Sequence, residues 1–65
     1  MTLLHEFFGS EGLSNRVALV FVNDDKSYTV IMLQDEAIIE ERVLKEHSEQ
    51  YAEDCAENWV MGVMT

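Results

Sequence analysis

The sequence predicts a small α+β domain: a three-stranded antiparallel β-meander with a C-terminal amphipathic helix packed on one face. Two runs of β-branched and aromatic residues flank an Asn/Asp-rich turn, which predicts a hairpin. A terminal segment repeats small apolar residues at intervals of three and four, which predicts the helix. Sixty-five residues allow a single domain over 1–65 and no more.

Taken in order, Leu3, Leu4, Phe7 and Phe8 stand at helical offsets, and Gly9-Ser10-Glu11-Gly12 breaks the pattern. A short helix or turn that lids the core at the sheet edge is expected there. A membrane-surface anchor is disfavoured, because such helices carry Lys and Arg on their polar face. Val17–Val22 is nearly continuous in apolarity and suits a central strand. Asn23–Ser27 is a turn by composition, and Tyr28–Leu33 is the second strand. Residues 36–46 are ambiguous. Their helix formers are strong, yet Ile38, Ile39, Val43 and Leu44 fit neither one helical stripe nor a clean alternation. A third strand over Ile38–Leu44 is the expectation, with a helix as its rival. Ser48 is a good N-cap and Glu49 an acid in the first turn. Ala52, Cys55, Ala56, Trp59, Val60 and Val63 form the apolar stripe of a helix over 49–61, with Gly62 as a left-handed cap. One helix covers one face of a sheet, so the other face is expected to be partly exposed. An exposed face favours self-association, and a homodimer is expected.

The formal net charge is −9. Such a field repels nucleic acid and anionic lipid and attracts basic protein surfaces. It also keeps a small protein in solution without any other role. No apolar run approaches the roughly 18 residues of a membrane helix, and the N-terminus lacks the basic start of a signal peptide. The single cysteine, Cys55, permits no internal disulfide and fits a reducing compartment. A cytoplasmic location is therefore expected.

No catalytic constellation stands out, and the protein is not expected to be an enzyme. His5, His47 and Cys55 lack the paired short spacing of a zinc site, so neither a metal nor another cofactor is expected. Cys55 lies on the apolar stripe, where a thiol usually serves as a small hydrophobe. A nucleophilic role would need it exposed beside a cation. Asn23-Asp24-Asp25 is too short for a calcium loop and lacks its glycine. Gly9-Ser10-Glu11-Gly12 has an acid where a phosphate loop needs a cation.

One feature carries an energetic cost. Glu49, Glu53 and Glu57 stand at i, i+4 and i+8 with Asp54 beside them, and no Lys or Arg occurs in residues 46–65. Like charges at that spacing oppose the helix by about 0.2–0.5 kcal/mol per pair. Their pitch of about 6 Å is near the phosphate repeat of one nucleic-acid strand. The row reads either as a solvated outer face or as a decoy for a basic groove. Tyr28, Met61 and Met64 are candidate contacts between subunits.

The run His47-Ser48-Glu49-Gln50-Tyr51-Ala52-Glu53-Asp54-Cys55-Ala56-Glu57-Asn58-Trp59-Val60-Met61-Gly62 resembles small uncharacterised proteins of marine T4-like cyanophages. It covers about a quarter of the chain and holds no catalytic residues. The resemblance implies a phage protein in an infected bacterial cytoplasm and brings no established function with it. Residues and resemblance together lead to a small acidic interaction protein of nucleic-acid-mimic type, which binds a basic surface of a host protein. Glu49, Glu53, Asp54 and Glu57 would carry the contact, and Glu40 and Glu41 would add to the field. The alternative is a structural or assembly module that homo-oligomerises.

Overall fold

β-Branched and aromatic side chains build the central hairpin, as their composition demands. The computed structural model describes residues 1–10, 12, 13 and 15–62. Four strands, β1 (Thr2–Phe8), β2 (Arg16–Val22), β3 (Tyr28–Gln34) and β4 (Ala37–Leu44), precede one helix, α1 (Glu49–Val60). The strands form one antiparallel sheet in the order β1-β2-β3-β4. The α+β class and the C-terminal helix agree with the sequence. The strand count does not: there are four strands, not three, because Leu3–Phe8 is a strand instead of a short helix or turn. The ambiguous segment is a strand as expected.

Both difficult segments contain a register shift. Leu3 pairs with Phe21 and His5 with Val20, which leaves Leu4 as the extra residue of a β-bulge. Glu40 pairs with Met32 and Ile38 with Leu33, which leaves Ile39 extra in β4. A bulge breaks the alternation of two, so Leu3, Leu4, Phe7 and Phe8 imitate a helical stripe and Ile38–Leu44 imitates nothing cleanly.

The turns are built from acids. Asp35 and Glu36 join β3 to β4 with φ of 54° and 68°. These are the two left-handed positions of a type I′ hairpin, normally filled by Asn-Gly. In the β2–β3 turn the Asp25 carboxylate accepts both the hydroxyl and the backbone N–H of Ser27, at 2.6 and 3.0 Å. Those bonds hold Asp25 below the ordinary carboxylate range. In the β1–β2 loop Gly9 is required by close approach. A Cβ there would stand 2.0 Å from the Leu13 carbonyl oxygen.

Ser48 caps α1, its Oγ accepting the Tyr51 N–H at 3.2 Å. Gly62, at φ 78°, closes the other end by donating to the Trp59 carbonyl at 3.1 Å. The last turn has no basic residue of its own. Arg16 of β2 supplies the positive charge instead. Its Nη1 donates to the Trp59 carbonyl at 2.9 Å, and its guanidinium lies 5.0 Å from the indole centroid.

α1 lies across β1, β2 and β3. Its buried residues Ala52, Ala56 and Val60 meet Ala18 and Val20 of β2 and Val30 and Met32 of β3. Phe7, Tyr28, Leu44, Cys55 and Trp59 are partly buried around that core. Trp59, expected inside, is thus half-buried. Val20, Val30 and Met32 are the largest fully buried side chains. Each contributes roughly 1.5–3 kcal/mol of burial.

The opposite face of the sheet has no layer over it among the described residues. Alternation and pairing place Val17, Leu19 and Phe21 of β2, Thr29, Ile31 and Leu33 of β3, and Ile38, Glu41 and Val43 of β4 on it, with Leu3, Glu6 and Phe8 of β1. Ile31 at its centre is closed off by its neighbours alone. Phe8, Ile38 and Val43 are 66%, 62% and 52% exposed.

Two substitutions of opposite sign check this backbone. Glu36→Gly removes a Cβ from a left-handed position and is expected to raise stability in urea by about 1 kcal/mol. Gly9→Ala is expected to lower it by about 2 kcal/mol or more. Unchanged midpoints for both would contradict the geometry.

Candidate functional site

β1 and α1 together assemble a polar cluster between sheet and helix. His5 points to the helix side of the sheet, in register with Val20. Its Nε2 lies 2.8 Å from Glu49 Oε2 and 3.3 Å from Glu53 Oε2. The two glutamates are one helical turn apart, so the imidazole sits between carboxylates that would otherwise only repel. The Glu49 hydrogen bond, aided by the charge of Glu53, raises the His5 pKa above its ordinary 6.5, against a smaller opposing effect of burial. His5 is about a third exposed, and solvent screens the pair.

The same atoms are one nitrogen and two oxygens within 4.8 Å of one another. His5, Glu49 and Glu53 are the residues that could hold a divalent cation among those described. A structural zinc takes four protein ligands, and the described residues offer three. A protonated His5 hydrogen-bonds Glu49 and lies within ion-pair distance of Glu53 without an ion. The sequence shows His5 as a candidate ligand but not its place beside Glu49 and Glu53, because Leu3–Phe8 carries a helical pattern and forms a strand. Its one signal was the uncompensated Glu49/Glu53 pair, which needs a cation from elsewhere in the chain.

On the other flank of α1, Arg42 of β4 donates from Nη1 to Cys55 Sγ at 3.3 Å and bonds Glu40 through Nε. The thiol is half-buried, and a cation does stand beside it. Arg42, Tyr51, Asp54, Cys55 and Asn58 line a shallow depression of about 210 Å³. His47 stacks on Tyr51 with centroids 4.0 Å apart.

The expected contact residues fall on several surfaces. Glu49 and Glu53 face His5. Asp54 is exposed and accepts from Gln50 Nε2 at 2.9 Å, and Glu57 is exposed. Glu40 lies on the helix side of the sheet and Glu41 on the uncovered side, since neighbours in a strand point oppositely. Of the expected subunit contacts, Met61 is exposed, Tyr28 is half-buried against the core, and Met64 lies outside the described residues.

The uncovered face holds a broad, open concavity. Val17, Leu19 and Leu33 form its floor, and Glu6, Asn15, Asp35 and Glu36 its wall, around about 750 Å³ of open space. Asn15 Nδ2 donates to Asp35 Oδ1 at 3.1 Å, and the Asp35 N–H donates to the Asn15 carbonyl at 3.0 Å. Of the four basic residues, Arg16 and Arg42 serve the helix side. Lys26 and Lys45 sit at the opposite end of the sheet from the Asp35–Glu36 turn. No helix among the described residues is long and apolar enough to cross a membrane.

No protein-family model, curated protein or solved structure matches the chain.

The His5 cluster has a definite pH signature. The folded pKa lies above the unfolded one, so the stability it contributes is complete below 6.5 and is lost as pH rises through the folded value. Urea unfolding of wild type is expected to weaken over that interval, and His5→Gln is expected to lack the dependence. An imidazole NMR titration with its midpoint at or below 6.5 would refute the ion pair.

Proposed function

We propose that the protein is a non-enzymatic acidic interaction protein that binds a basic surface of a partner protein. One observation carries this reading: the fold pairs both arginines within the chain and leaves most of its described carboxylates exposed. Arg16 is committed to Trp59, and Arg42 to Glu40 and Cys55. Asp54 and Glu57 on α1, Glu41 on β4 and the Asp35–Glu36 turn are exposed around the molecule. A field of that kind steers a basic partner and sets its orientation.

His5 bears on the form of the binding. By contacting Glu49 and Glu53 it ties both to the sheet, its imidazolium offsetting at most one of their two charges, and Asp54 and Glu57 remain the exposed acids of α1. That supports recognition of a basic protein surface in general over close imitation of a phosphate strand. A host protein in an infected bacterial cell is the setting that the α1 resemblance suggests.

A second reading, homo-oligomerisation, rests on the exposure of Phe8, Ile38 and Val43 on the uncovered face. Light scattering at micromolar concentration separates the two, since a monomer removes the assembly role.

The interaction reading predicts salt-sensitive capture. Immobilised wild-type protein is expected to retain a defined basic protein from bacterial lysate at about 50 mM salt and release it by about 500 mM. The variant Asp35→Asn/Glu36→Gln/Asp54→Asn/Glu57→Gln is expected to stay folded and retain less. Equal retention by both proteins, or none by either, would remove the role of the acids.

A further inference from the structure

We propose that the basin on the uncovered sheet face is the docking site, and that its occupant is a partner segment with an apolar anchor flanked by lysine or arginine. The inference rests on the acidic-interaction reading and gives it a place and a partner chemistry.

The basin has two chemical parts. Its floor of Val17, Leu19 and Leu33 offers only hydrocarbon, and its wall holds three carboxylates, from Glu6, Asp35 and Glu36. Glu41 adds a fourth on the same face, opposite Ile31. No Lys or Arg is placed on this face among the described residues. A volume of about 750 Å³ admits several side chains, so a stretch of chain suits it better than one residue.

Charge decides among occupants. Nucleic acid and anionic lipid are repelled by the wall. A second copy would bring the same carboxylates and a net charge of −9 to the contact. An uncharged apolar ligand would leave the wall acids desolvated and unpaired. A segment with a phenylalanine or leucine between basic residues meets both parts: the anchor covers the floor, and the cations reach the wall. The anchor supplies affinity, and the cations supply rate and register. The wall is held ready in part, because Asn15 fixes Asp35 through side chain and backbone.

The test uses isotopically labelled whole protein and three capped synthetic peptides. One has the form Lys-Arg-Lys-Phe-Leu-Lys-Arg-Lys, one replaces Phe-Leu by Ser-Ser, and one replaces every basic residue by Ser. The first is expected to shift the amide signals of Val17, Leu19, Leu33 and Glu36 and to bind at least about tenfold more tightly than either control. Leu19→Gln and Glu36→Gln are each expected to weaken it, and an unchanged far-ultraviolet circular dichroism spectrum shows that each variant is folded. Equal binding of the Ser-Ser peptide, with shifts on α1, would overturn the site and leave the acidic reading standing. Dimerisation that covers Leu19 and Leu33 would overturn the occupant. Failure of both basic peptides to bind any surface would overturn the site and the reading beneath it.

Discussion

The close approach of α1 to the sheet is what the rest of the structure depends on, and small side chains set it. Ala52 and Ala56 share one buried cluster with Ala18 and Val20, and side chains this small let the helix lie close on the sheet. At that distance three polar reaches become possible. Glu49 and Glu53 meet His5 from one flank, Cys55 meets Arg42 from the other, and the final turn meets Arg16. The contacts have different chemistry and a common cause. A bulkier stripe would lift the helix and stretch all three.

That packing is one-sided. A chain of this size hides only about 60% of its unfolded surface, and here one face of the sheet goes uncovered. The apolar residues there shield one another, as the near-complete closure of Ile31 shows, while strands at the margin leave Phe8, Ile38 and Val43 open. The fold places both arginines on the helix side and the Asp35–Glu36 turn beside the bare side, while Glu40, Asp54 and Glu57 stay with the helix layer.

Much of this was legible from residue pattern. The central hairpin is rich in β-branched and aromatic residues, and α1 announces its cap, its dipole-matched acid and its terminating glycine within one short stretch. What failed was β1, and with it His5. Leu4 is the extra residue of a bulge, and one extra residue shifts the period enough to resemble a helix. Ile39 blurred β4 in the same way, though its branched neighbours still favoured a strand. The acidic row on α1 is visible as a run of like charges, but its contact partner comes from a strand 44 residues away in sequence. The basin was not visible, because it joins the β1 strand to the Asp35–Glu36 hairpin, and only the meander brings those together.

The edge strand β4 has a bearing on solution behaviour. Its outer backbone has no strand partner among the described residues, and such an edge can template a further strand from another molecule. Glu40, Glu41 and Arg42 stand at its middle, and the displaced Ile39 interrupts its straight run. Charge and irregularity on a free edge are devices that stop sheets from growing sideways into fibrils. A bare apolar face and a charged, bulged edge thus sit side by side in β4, and the features that oppose strand addition lie along the edge, leaving the face as it is.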